Sequence, residues 1–297
     1  MTTDPAVRIE RLRTVEHYRE CERLQHDVWR MSDEMMVVPL HLLMTLQKSG
    51  GIVLGAFTEF DELVGFVCGF PGLYGDGLRR LKHCSHMMGV SERYRGKGVG
   101  EQLKLAQREI VLSQGLDLIT WTYDPLESLS AALNIGKLGT VCKTYLRDLY
   151  GPMDDALNGG LPSDRFDVDW HIRSLRVAGR LTRSRERPTL SALLHAGARI
   201  VNPASVRSDG PPCPADTVAE LEGAMVLVEI PSSIQAVKTA DLGLAHSWRL
   251  QTRELFESAF SHGYTVTDFV SEINQGPSGD RVRRSVYVLT EAEVTFG

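Results

Sequence analysis

Gly96, Gly98 and Gly100 alternate with Lys97 and Val99, and Arg93 and Arg95 stand just ahead of them. Backbone amides at a helix start bind anions, because the N–H groups point outward and the helix dipole favours negative charge; glycine lets a ligand approach closely. The run that follows is helical by its spacing, since Val99, Leu103, Ala106 and Ile110 share one face. Ahead of the loop, His86-Met87-Met88-Gly89-Val90 reads as a short apolar strand. Strand, glycine loop and helix together predict a ligand that carries phosphate. A nucleotide P-loop needs Ser or Thr after Gly-Lys, whereas Gly98 follows Lys97. A dinucleotide fingerprint needs Gly-x-Gly-x-x-Gly after a first strand, and here the glycines alternate in mid-domain.

The elements around the loop can be read in order. Residues 7–12 form a strand, and Thr14 caps a helix reaching Trp29, with Tyr18, Cys21, Leu24 and Val28 on one side. Pro39 opens a short helix through Leu46 that Gly50 and Gly51 stop. Residues 52–58 and 63–70 form a hairpin across Glu59-Phe60-Asp61-Glu62. The strand, loop and helix follow, then Gly115 as a cap, a buried strand over 118–123, a helix over 128–137 and a strand over 141–149.

Arg93-Tyr94-Arg95-Gly96-Lys97-Gly98, in this element order, resembles the coenzyme A pyrophosphate loop of the GNAT superfamily of acyl-CoA-dependent N-acyltransferases. Ser85-His86-Met87, Leu103-Lys104, Gln107-Arg108-Glu109, residues 121–126, Lys137-Leu138-Gly139, Tyr150-Gly151, residues 161–165 and Trp170 resemble a poorly characterised bacterial branch of it, to about Val177. The resemblance implies an α/β (α+β) fold with a mixed, mostly antiparallel sheet, splayed between its fourth and fifth strands where acetyl-CoA or another acyl-CoA inserts. It also implies that backbone groups of Met88 and Val90 pair with the pantetheine arm. The amides from Gly96 through Lys97, Gly98, Val99 and Gly100 then take the diphosphate with Arg95, and Asn134 can bond the arm.

Acyl transfer from a thioester to an amine needs a base for the ammonium and an acid for the departing thiolate. His86 is the preferred base, because it lies two residues before Met88 in the same strand register and titrates near neutrality. Asp124, at the end of its strand before Pro125, is the other candidate, against a plain turn role. Many superfamily members carry a helix tyrosine as the acid, but that slot holds Ile135; Tyr145 and Tyr150 downstream are the alternatives. Trp29 and Met35-Met36 are candidates to line an acceptor slot, with Asp33 and Glu34 to attract an ammonium. Arg165 is placed to grip a carboxylate and Trp170 to wall the pocket. His83 and His86 bracket Cys84, yet three-residue strand spacing sends the rings to opposite faces, so a shared metal is not expected.

Composition sets the frame. The chain has 297 residues, 42% hydrophobic, with a net charge of −5 and no apolar run of membrane-spanning length, so neither nucleic acid nor membrane is the expected partner. No signal peptide opens it, and five cysteines without paired spacing suit a reducing, cytoplasmic setting. Phe166, Val168, Trp170 and Ile172 alternate with polar residues as a half-buried strand. A basic run then carries Arg180, Arg183, Arg185 and Arg187, which reads as a solvated linker. Two domains are expected: residues 1–177, GNAT-like, and residues 178–297, a smaller α/β unit with strand, helix, strand, strand, read as a degenerate GNAT-like half. The expected activity is transfer of an acyl group, most simply acetyl, to the amine of a small metabolite such as an amino acid, with a homodimer a reasonable assembly. The alternatives are a non-catalytic acyl-CoA-binding module and an unrelated phosphate-binding α/β protein.

Overall fold

The computed structural model describes residues 6–30, 37–75, 80–182, 187–205, 210–275 and 281–291. Asp33, Glu34, Met35 and Met36, offered for the acceptor slot, and Arg183 and Arg185 of the basic run lie outside these residues. The chain divides into two compact units, one of residues 1–121 with Asp154–Leu157, the other of residues 122–153 with 158–297. The sequence break expected after Val177 falls inside a helix of the second unit.

The first unit begins with β1 (Arg8–Arg11), α1 (Val15–Trp29) and α2 (Leu40–Lys48). Thr14 caps α1 by accepting from the His17 N–H, and the predicted apolar face, Tyr18, Cys21, Leu24 and Val28, is buried. β2 (Ile52–Phe57), β3 (Leu63–Tyr74) and β4 (Arg80–Val90) follow. A single 3-10 turn (Glu92–Tyr94) then leads to α3 (Val99–Ser113) and β5 (Leu118–Tyr123), whose last two residues begin the second unit. The strand order is β1-β2-β3-β4-β5, antiparallel except for the parallel β4–β5 pair. Leu12, Tyr18, Cys21, Leu43, Val53, Phe57, Phe66 and Cys68 form the core under α1 and α2.

In the second unit a short α4 (Ser128–Ala131) runs into a π-helical turn (Ala132–Lys137), then β6 (Val141–Leu146) and β7 (Arg165–His171). Beyond them come α5 (Leu175–Leu181), α6 (Leu190–His195), β8 (Arg199–Ile200), β9 (Met225–Ile230), α7 (Ile234–Ala240), α8 (Leu242–Ser261), β10 (Thr265–Gln275) and β11 (Arg281–Thr290). The order is β7-β6-β10-β11-β9-β8, and Cys142 of β6 pairs with Val266 of β10. That pairing is why β6 and β7, assigned by sequence to the N-terminal domain, sit with the C-terminal strands. Arg180 belongs to this structure too, ion-paired with Asp268 rather than solvated. Among the described residues no helix is long and apolar enough to cross a membrane.

Candidate functional site

β4 is the strand that prepares the site. Parallel pairing with β5 is limited to His83 with Ile119 and Cys84 with Thr120. From Ser85 to Val90 the strand keeps its antiparallel partner β3 but has no β5 partner among the described residues, so the two strands part at Ser85 and Trp121. The expected splay is there, and it leaves a run of strand edge open.

A β-bulge sits in this run. Cys68 pairs with Met87 and Gly69 with Ser85, so His86 is the extra residue. Gly69 is the close-approach point, since a Cβ there would lie 2.4 Å from His83 Nε2 and 2.5 Å from the Cys84 carbonyl oxygen. Ser85 faces α3, where it bonds Gln107, while Met87 packs into the core under α1. His86 lies beside Phe70, ring centroids 6.1 Å apart, on the α1 side. Met88 pairs with Val67, whose neighbour in alternation, Gly65, faces Val99 and Leu103 of α3. The bulge therefore puts His86 and Met88 on opposite faces, which corrects the shared register that strict alternation gave them. His86 is exposed at its edge, and partial burial of the ring holds its pKa below 6.5.

The glycine loop is built as a helix start without a side-chain cap. Gly98 is the N-cap of α3 at φ 79°, whereas Thr14, Ser174, Thr189, Ser233 and Asp241 each cap their helices with a side-chain oxygen. Gly96 also has a positive φ, 72°, and a Cβ there would meet nothing within 4 Å. Val99 is buried, Gly98 and Gly100 are half-buried, and Lys97 is exposed with its ammonium 5.6 Å from the Tyr94 ring centroid. Arg95 braces the loop: its Nε donates to the Val90 carbonyl (3.1 Å) and its Nη2 to the Val28 carbonyl (2.9 Å). The indole of Trp29 packs edge-on against Phe66 and close to Gly89 of β4.

α3 differs from the predicted face. Val99 and Leu103 are buried, but Ala106 and Ile110 are only half-buried, and Lys104, Gln107 and Val111 take the inner positions. Partners across β4 explain this rotation. Lys104 Nζ donates to Ser85 Oγ (2.7 Å), Ser85 Oγ donates to Gln107 Oε1 (2.9 Å), and Gln107 Nε2 donates to His83 Nε2 (3.2 Å). That order puts the His83 proton on Nδ1, which is buried without a hydrogen-bond partner among the described residues. The Lys104 ammonium also lies 3.6 Å from the centroid of the Trp121 ring. Burial lowers the Lys104 pKa to about 7, and burial together with Lys104 lowers that of His83 to about 4. None of these four was singled out by sequence as a site residue. The one signal was a lysine and a glutamine at helical positions adjacent to the apolar stripe.

The unfolded chain holds the Lys104 proton more tightly than the folded one, so stability contributed by this residue rises with pH between about 7 and 10.5. Lys104→Met should lack that rise, so its stability relative to the parent should fall by a few kcal/mol as pH goes from 7 to 10. Urea titrations of both proteins across that range check it.

In the second unit the remaining candidates are held by their neighbours. Asp124 Oδ1 accepts from the Leu126 N–H, and its Oδ2 pairs with the fully buried Arg249 and lies 3.8 Å from Arg165. Arg165 Nη1 donates to the Asp164 carbonyl and Nη2 to Asn158 Oδ1, so it is a core brace rather than a free carboxylate clamp. Trp170 is fully buried with its indole N–H on the Leu138 carbonyl, inside the core rather than on a pocket wall. Tyr145 donates to Asp164 Oδ2 (2.7 Å), and burial drives its pKa far above 10, which unsuits it to give up a proton. The Tyr150 hydroxyl, in an exposed residue, bonds Thr122 (2.9 Å), and Ile135 is buried. Asn134 is buried on the π-helical turn, its carbonyl accepting from Thr140.

Comparison with known proteins agrees with the first unit's architecture. Residues 11–131 match the model of the acetyltransferase (GNAT) family. No curated protein matches the chain. Solved structures similar to it include Naa20 of Chaetomium thermophilum in complex with a bisubstrate analogue, at 14% identity and TM-score 0.45, covering 61% of this chain and 92% of that one. The ribosomal-protein-S18-alanine N-acetyltransferase of Escherichia coli is similar at 13% identity and TM-score 0.44, covering 56% and 94%. A GNAT-family acetyltransferase of Streptococcus pneumoniae is similar at 16% identity and TM-score 0.44, covering 55% and 98%. At such identities and TM-scores the family assignment rests on the match to residues 11–131.

Proposed function

We propose that the chain transfers an acyl group, most simply acetyl, from acyl-coenzyme A to the amine of a small metabolite. One observation carries this reading: the β4 edge left open after Cys84 leads directly into the uncapped, glycine-rich start of α3. An extended amide-bearing arm fits an open strand edge, and a diphosphate fits the amides of a helix start that carries no side-chain cap. In this reading Met88 on the β4 edge takes the arm, Val90 sharing its carbonyl with Arg95, and the amides from Gly96 to Gly100 take the diphosphate. Coenzyme A, when bound, supplies the activated thioester carbonyl.

His86 serves as the base in this proposal. The bulge lifts it out of the ladder, and a pKa below 6.5 leaves it neutral and able to accept an ammonium proton at pH 7. The kcat/KM profile should then show an acidic limb below pH 6.5, rising with pH as His86 loses its proton, and His86→Gln should remove that limb. A pH profile of acetyl transfer measured on both proteins tests this; an unchanged limb in the variant excludes His86.

A second reading, acyl-CoA binding without turnover, is favoured by the phenols. Tyr145 and Tyr150 are both engaged, and a buried Ile135 occupies the slot where the resemblance implies a tyrosine acid. Release of free thiol from acetyl-CoA in the presence of amine panels separates the two: amine-dependent release supports the enzyme, and binding without release supports the module.

A further inference from the structure

The fork between β4 and β5 is closed at its inner end by a side chain that the proposed reaction does not use. Ser85 is the first β4 residue past the last paired position, and Trp121 is its counterpart on β5. Lys104 reaches both, hydrogen-bonded to Ser85 Oγ at 2.7 Å and lying 3.6 Å from the Trp121 ring centroid. A lysine spanning two diverging strands, itself 2% exposed, is an unusual occupant for an interior position. Its acceptor, Ser85, is fixed in turn by a relay through Gln107 to His83, both fully buried, so swinging aside would cost Lys104 its hydrogen bond to a partner that cannot follow it.

Resting on the reading that the pantetheine arm follows β4 inward from the glycine loop, we propose that Lys104, with Ser85 and Trp121, forms the floor of the acyl pocket and restricts the donor to acyl groups of two or three carbons. An arm running along β4 from Val90 toward His86 brings its thioester toward Ser85, where the strands meet. Further methylenes would have to enter between the Lys104 head and the Trp121 ring. They would strip that ammonium of its hydrogen bond and offer nothing polar in return. Discrimination by one or two methylenes at a rigid pocket floor is typically tenfold or more per methylene.

The test measures dissociation constants of acetyl-, butyryl-, hexanoyl- and succinyl-CoA for the full chain by calorimetry, for the parent, Lys104→Met and Lys104→Ala. The parent should bind butyryl-CoA at least tenfold more weakly than acetyl-CoA and hexanoyl-CoA more weakly still. Lys104→Ala should bring all three uncharged donors within about threefold of one another, with Lys104→Met between. Lys104→Met, which keeps the side-chain volume, provides the comparison if the alanine variant fails to fold. A parent that binds acetyl and hexanoyl donors equally overturns the inference, as does a Lys104→Met profile identical to the parent's. Tightest binding of succinyl-CoA overturns it too, because Lys104 would then be a carboxylate receptor. If the parent binds no acyl-CoA at all, the proposed function fails, and the pocket floor with it.

Discussion

Gly98→Asp should abolish coenzyme A binding, with no saturable heat in calorimetry at concentrations that saturate the parent, while the unfolding midpoint should stay close to the parent's. Two opposing effects make this substitution informative. Gly98 holds φ 79°, a conformation that side chains resist, but aspartate is among the residues that tolerate it best and is a good helix N-cap. The expected net change in stability is therefore small, about 1 kcal/mol or less. Binding suffers fully: the carboxylate would accept the α3 amides that the account reserves for diphosphate and would repel its charge. Gly98→Ala, carrying the strain without the charge, should bind measurably but more weakly. A Gly98→Asp protein that binds as the parent does would remove the loop from the site.

Asp124→Asn should destabilise the second unit by about 3–5 kcal/mol, the usual cost of breaking a buried ion pair from one side. Arg249 is fully buried, and its Nε and Nη1 have no hydrogen-bond partner among the described residues, so Asp124 carries most of the compensation for that charge. Burial works against the guanidinium charge, yet Asp124, followed by Tyr145 and Asp164, raises the Arg249 pKa. Asparagine keeps the shape and the bond from the Leu126 N–H but not the charge. The Asp124→Asn, Arg249→Met double variant should recover much of the loss, giving a coupling energy above about 1 kcal/mol in urea unfolding. The same variant separates two roles for Asp124. Loss of activity with stability unchanged would make it the base, and loss of stability makes it the counter-ion.

What could be read from sequence, and what could not, follows from the range of the interactions involved. The α1 stripe of Tyr18, Cys21, Leu24 and Val28, its Thr14 cap and the alternation of Phe166, Val168 and Trp170 are local patterns, and each one is found in the structure. The glycine loop was legible because positive φ at Gly96 and Gly98 leaves a residue-level signature. The bulge at His86 left none, as its cause is the pairing of Cys68 with Met87 and of Gly69 with Ser85. Lys104 was passed over for a similar reason, since an inward lysine makes sense only once Ser85, Gln107 and Trp121 are known to surround it. Arg165 reads as a carboxylate grip and Trp170 as a pocket wall from residue type alone, and their partners Asn158 and Leu138 are evident only in the fold.

The central claim is that the main chain from Gly96 to Gly100 holds the diphosphate of coenzyme A. The most direct measurement is a ¹⁵N-glycine amide spectrum of the full chain, titrated with coenzyme A and separately with pantetheine, which lacks the diphosphate. The Gly96, Gly98 and Gly100 resonances should move with coenzyme A and stay in place with pantetheine. Saturable binding of coenzyme A that leaves all three unmoved would contradict it.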